Sequence, residues 1–136
     1  MKTSIFIGVA GVVGTSLTAC TSDDEVGSEK NNLSKNGILY SSQNQGRWQG
    51  KDGSHSPIIS VNGKSVTVVT NHGMSESHYI VKHTLLSDGG EIIGETVFSP
   101  KDKKASSTFE LNEVPKKLIA TSFCNLHDMW ISEYTI

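Results

Sequence analysis

Between Ile58 and Thr135 the sequence breaks into seven short runs rich in β-branched and aromatic residues, most of them closed by a strong turn signal. The runs are Ile58–Val61, Ser65–Thr70, Tyr79–Leu86, Glu91–Phe98, Ser106–Leu111, Lys117–Phe123 and Met129–Thr135. Asn62-Gly63, Asp88-Gly89-Gly90, Ser99-Pro100-Lys101-Asp102 and the stretch from Asn112 to Pro115 punctuate them. No helical period of useful length follows the N-terminal apolar segment, and no internal repeat is present. The pattern predicts an all-β domain: an antiparallel sandwich of about seven strands and of immunoglobulin-like kind.

On this reading the residues able to hold a metal fall at strand ends. His72 follows the second strand and His78 opens the third. Cys124 and His127 share the turn before the last strand, and His55 lies just ahead of the first. A cysteine and a histidine three residues apart on a turn can reach one ion with sulfur and imidazole nitrogen. Each signal alone is weak, because Cys-x-x-His is common and a histidine at a strand end is usually a solvated turn residue. Together they use four of the five histidines in the chain. The fifth, His83, lies inside a strand; alternation places it with Tyr79, Val81 and Leu85 on a mixed face. Glu76 reads as a solvated loop carboxylate, and Tyr79 and Trp130 as core aromatics beside the site.

The N-terminus speaks to compartment. Lys2, the apolar run Ile5–Gly14 and the small residues before Cys20 describe a secretory signal peptide, since the run is too short to span a bilayer. Leu17-Thr18-Ala19-Cys20 resembles the bacterial lipobox, whose cysteine is acylated and becomes the first mature residue. The predicted organisation is a signal peptide over 1–19, a lipidated polar tether over 20–53 and a sandwich domain over 54–136, exported and anchored by lipid to the cell envelope. Ile38, Leu39, Tyr40 and Trp48 stand out in the otherwise polar tether. Packing against the domain edge and covering the site are both open to them. Cys20 and Cys124 are the only cysteines, and in an exported protein the default would be a disulfide between them. With Cys20 lipidated, a bound metal is the natural occupant of the Cys124 thiol. A net charge of −2 supplies no basic field for a nucleic acid.

The segment His72-Gly73-Met74-Ser75-Glu76-Ser77-His78-Tyr79-Ile80 resembles the His-Pro-Met-x-x-x-His-Tyr-Ile segment of the superoxide reductases, the family of neelaredoxin and of the iron-binding domain of desulfoferrodoxin. Cys124-Asn125-Leu126-His127-Asp128-Met129-Trp130 is similar to that family's Cys-Asn-x-His-Gly-x-Trp. The resemblance runs from about Ser54 to the C-terminus and implies one mononuclear non-haem iron. His55, His72, His78 and His127 would be its equatorial ligands and Cys124 its axial thiolate. It also implies reduction of superoxide to hydrogen peroxide, with an external electron donor such as a rubredoxin-like protein, and assembly as a homo-oligomer in common with many one-iron relatives. The cysteine pairs of the two-iron members' additional domain are absent.

Four positions depart from the family pattern. Many members carry Glu-Lys immediately before the first histidine, where this chain has Gly53-Ser54; Lys51, four positions before His55, is the candidate replacement for the missing positive charge. Gly73 stands for the usual proline and Asp128 for the usual glycine. Two further functions fit the same ligands: a non-enzymatic zinc, copper or iron lipoprotein, and an electron-transfer module on the same fold.

Overall fold

The computed structural model describes residues 38–136. The predicted signal peptide, Cys20 and the first part of the predicted tether lie outside the described residues. All seven expected strands are present: β2 (Ile58–Asn62), β3 (Ser65–Thr70), β4 (Ile80–Ser87), β5 (Ile92–Val97), β6 (Ala105–Glu110), β7 (Lys117–Cys124) and β8 (Asp128–Thr135). An eighth precedes them, the two-residue β1 (Leu39–Tyr40), which pairs in parallel with β8. The strands form two sheets, one of five in the order β1-β8-β7-β4-β5 and one of three in the order β2-β3-β6. Every pairing other than β1–β8 is antiparallel.

The chain upstream of Ser54 is therefore part of the folded body from β1 onward. Tyr40 is buried, with its ring centroid 5.6 Å from that of Trp130. A 3-10 turn (Gly46–Trp48) and a single helical turn, α1 (Asp52–His55), carry the chain from β1 to β2. Of the two roles open to Tyr40 and Trp48, Tyr40 packs at the sheet edge and Trp48 lies against the site.

Registers fix which end of the sandwich is which. Thr70 pairs with Ala105, Ile58 with Val69, and Ile80 with Cys124. The segments 71–79 and 125–127 and helix α1 thus gather at one end, the end that also carries the 98–104 turn.

The core is layered along the strands. Away from the gathered loops, Val66, Val68, Leu85, Leu118 and Ala120 form an apolar cluster joined by Ile59, Phe109 and Tyr134. Full burial of one such aliphatic side chain contributes roughly 1.5–3 kcal/mol. Nearest the loops, Ile80, Phe98, Ala105 and Cys124 form a second cluster with Met74. Between them runs a buried polar rung of Thr70, His83, Ser107 and Ser122, one residue from each of β3, β4, β6 and β7. His83 is fully buried. The alternation expected for its strand is broken where the β4–β7 register shifts between Ile80 and Lys82, so Ile80, His83 and Leu85 all point inward.

Candidate metal centre

Each ligand candidate is delivered by a short device at the loop end. His55 is the last residue of α1, 3% exposed. Its Nδ1 lies 3.0 Å from the carbonyl of Lys51. A carbonyl can only accept, so Nδ1 carries the proton and Nε2 the lone pair. His72 is fixed in the same way, its Nδ1 donating to the carbonyl of Gly73. His78 closes a tight bridge with Ser75, backbone to backbone in both directions at 3.1 Å. Cys124 ends β7, and His127 follows in a turn whose carbonyl accepts from the indole nitrogen of Trp130 at 3.0 Å.

Asn125 ties the two ligand-bearing loops together. Its side-chain oxygen accepts from Tyr79 N at 3.0 Å, its amide donates to the Ser77 carbonyl at 3.0 Å, and its own N–H donates to the Tyr79 carbonyl at 3.2 Å. In the sequence Asn125 stands out only as part of the motif that follows Cys124, and its place beside that cysteine is the available signal.

The result is a ring of four nitrogens above one sulfur. His55 Nε2 lies 3.0 Å from His127 Nδ1, His127 Nδ1 lies 2.9 Å from His78 Nε2, and His78 Nε2 lies 3.1 Å from His72 Nε2. His72 and His55 close the circuit with ring centroids 4.6 Å apart, while the opposite pair His55 and His78 stand 6.0 Å apart. Cys124 Sγ is 3.6 Å from His127 Nδ1 and 4.0 Å from His72 Nε2, and all five donor atoms fall within 4.8 Å of one another. The corners of a square with a 3.0 Å edge lie about 2.1 Å from its centre, the length of a bond from imidazole nitrogen to a divalent metal.

The donor chemistry fits a cation. At least two of the inward nitrogens, those of His55 and His72, are lone pairs by the tautomer argument, and facing lone pairs repel unless a positive charge lies between them. Burial first, then the neighbouring His72, pushes His55 down to about 4. Burial likewise lowers His72 and His127. These imidazoles are thus neutral and ready to bind at neutral pH. Burial pushes the Cys124 thiol up, partly offset by the backbone N–H groups of Leu126 and His127, so its proton leaves when a cation arrives.

A cleft of about 380 Å³ opens beside the ring, lined by His55, His72, His78, Met74 and Lys51. Lys51, singled out from sequence, has its carbonyl on His55 Nδ1 and is one of the residues that line the cleft. Glu76 is exposed on its loop, as expected. Asp128 takes a left-handed backbone, φ 62°, where glycine is the favoured residue and another residue costs roughly 1 kcal/mol. Its carboxylate accepts from Arg47 and Trp48, and although burial opposes, these hydrogen bonds and the Arg47 charge hold it below its ordinary range. Arg47 and Asp128 are far apart in sequence, and no local signal pairs them.

Residues 46–133 match the desulfoferrodoxin family, and the chain belongs to it. Its structure is similar to that of the superoxide reductase (neelaredoxin) of Ignicoccus hospitalis, with a TM-score of 0.60 and 26% identity over 72% of this chain and 93% of the other. It is also similar to the superoxide reductase of Treponema pallidum, with a TM-score of 0.52 and 29% identity over 61% and 67% of the two chains. The one-iron superoxide reductase of Giardia intestinalis shares the fold, with a TM-score of 0.56 at 23% identity over 61% of this chain and 98% of the other. Comparison with curated protein sequences gives no significant match.

Proposed function

We propose that the protein is a superoxide reductase whose resident cofactor is one iron ion held by His55, His72, His78, His127 and Cys124. The observation that carries this reading is the closed ring of four imidazole nitrogens with a buried sulfur beside it, at separations that suit one first-row ion. Iron there would supply the one-electron couple by which superoxide and two protons become hydrogen peroxide, an external reductant restoring the electron. The chain's own residues supply the rest. Neutral imidazoles and a thiolate together bring a single negative charge, which favours a cation without over-neutralising it. The Lys51 carbonyl and the Gly73 carbonyl lock two tautomers. Lys51 lines the cleft, and its positive charge would offer a field that draws an anion in. The family's features support this reading, and zinc, having no second oxidation state, would not serve it.

The test is metal analysis and optical spectroscopy of protein loaded with ferrous iron and then oxidised. One iron per chain, a visible sulfur-to-iron charge-transfer band that is lost in Cys124→Ser, and rapid oxidation by superoxide are the expected results. A colourless zinc protein that resists iron, or an iron protein inert to superoxide, would overturn it. We also propose that Cys20 is lipidated and anchors the protein to the cell envelope. A mature N-terminus at Cys20 carrying acyl mass is the expected finding in membranes, and an unmodified Cys20 would refute it.

A further inference from the structure

We infer that Arg47, Trp48 and Asp128 form a latch that positions His127 in the metal site, so that the segment between β1 and β2 holds in place a donor carried by the turn between β7 and β8. The inference rests on the reading that the five donors hold a metal. His55 and His72 have their outward nitrogens anchored by carbonyls. Among the described residues the outward nitrogen of His127 makes no such bond; only its inward Nδ1 is engaged, with His55, His78 and Cys124. A ligand histidine without an outer partner is free to tilt, and outer partners contribute much of a metal site's affinity. Here the restraint is a ring contact: Trp48 stands edge-on to His127, with centroids 4.7 Å apart.

Trp48 is itself held. Its Nε1 donates to Asp128 Oδ2 at 2.9 Å, and Arg47 donates to the same oxygen at 2.5 Å while its guanidinium lies 4.9 Å from the centroid of the Trp48 ring. Tyr40 lies buried beneath this group, paired through β1 to Trp130. Asp128 bears a backbone conformation that suits glycine, and its carboxylate is what the latch closes on. The strained aspartate and the indole it holds thus both adjoin His127: one is its chain neighbour, the other its packing partner.

The test is titration of metal-free protein with Co²⁺, read by visible absorption, together with urea melts of the metal-free forms. Trp48→Ala and Asp128→Gly are each expected to weaken Co²⁺ binding roughly tenfold or more. Trp48→Phe, which keeps a ring and loses the N–H, should fall between these and wild type. Asp128→Gly carries the discriminating prediction: relief of backbone strain holds or raises the metal-free urea midpoint while affinity falls, a split that a merely structural role does not give. Should Trp48→Ala fail to fold, Arg47→Gln serves, with a severalfold loss expected. Wild-type Co²⁺ affinity in the folded variants overturns the latch and leaves the metal reading intact. A wild-type protein that binds no Co²⁺ overturns both.

Discussion

His83 is a buried titratable group that the proposed chemistry does not use, and its partners define its state. Thr70 Oγ1 donates to Ser122 Oγ at 2.9 Å and so accepts from His83 Nε2 at 2.8 Å, while His83 Nδ1 accepts from Ser107 Oγ at 2.8 Å. This chain of hydrogen bonds crosses from one sheet to the other, and it has no place for a second imidazole proton. Burial holds His83 down to about 4 against an ordinary 6.5. The folded form then binds fewer protons than the unfolded one between these values, so stability rises with pH across that window. The contribution is fully present above 6.5 and lost as pH falls through 4, roughly 3 kcal/mol in total. His83→Gln can donate to Thr70 and accept from Ser107 without titrating. Urea melts from pH 4 to 7 should show wild type steeper than the variant, and equal slopes would refute the assignment. Lys51 yields the second prediction at this scale. Lys51→Ala should lower the second-order rate with superoxide roughly two- to tenfold and flatten its salt dependence, measured by stopped flow. An unchanged rate would make Lys51 a solvated loop residue.

At the scale of elements, Gly94 in β5 shows how closely the sheets approach. A Cβ there would come within 2.7 Å of the Phe109 ring on β6 of the opposite sheet. Gly94→Ala should therefore cost about 1–3 kcal/mol of stability in urea melts, although β5 itself would gain propensity. The seven main strands were legible because period-two burial and glycine-rich turns are local signals; in β3 the alternation of half-buried and buried residues is complete. β1 was not legible, since a two-residue parallel strand has no period and sits in a polar stretch. The face of His83 could not be read because a register shift in β4 leaves no mark in composition. The five residues whose donor atoms come together were legible from residue type and spacing at strand ends. The Arg47–Trp48–Asp128 contact was not, because it joins segments that only the folded topology brings together.

At the scale of the molecule, the layered core predicts how the protein would respond to removal of a metal bound at the five donors. The apolar cluster around Val66, Leu85 and Leu118 lies beyond the polar rung from the ligands and contains none of them. The second cluster contains Cys124 itself and the cleft residue Met74. Metal binding stabilises the folded state by mass action, about 2.7 kcal/mol when the free ion is at a hundred times its dissociation constant. That stabilisation should act unevenly. On chelation the sandwich should keep its far-ultraviolet circular dichroism and a cooperative melt at a lower midpoint. Amide exchange should accelerate at His78, Asn125 and His127, where the loops depend on the ion and on the Asn125 ties. Amides of Val66, Val68, Leu118 and Ala120 should stay protected to near the global limit. If chelation instead unfolded the whole chain, the ion would be the main organiser of the fold. The separation of the first apolar cluster from the ligand end argues against that outcome, because that cluster joins the two sheets without any of the five donor residues.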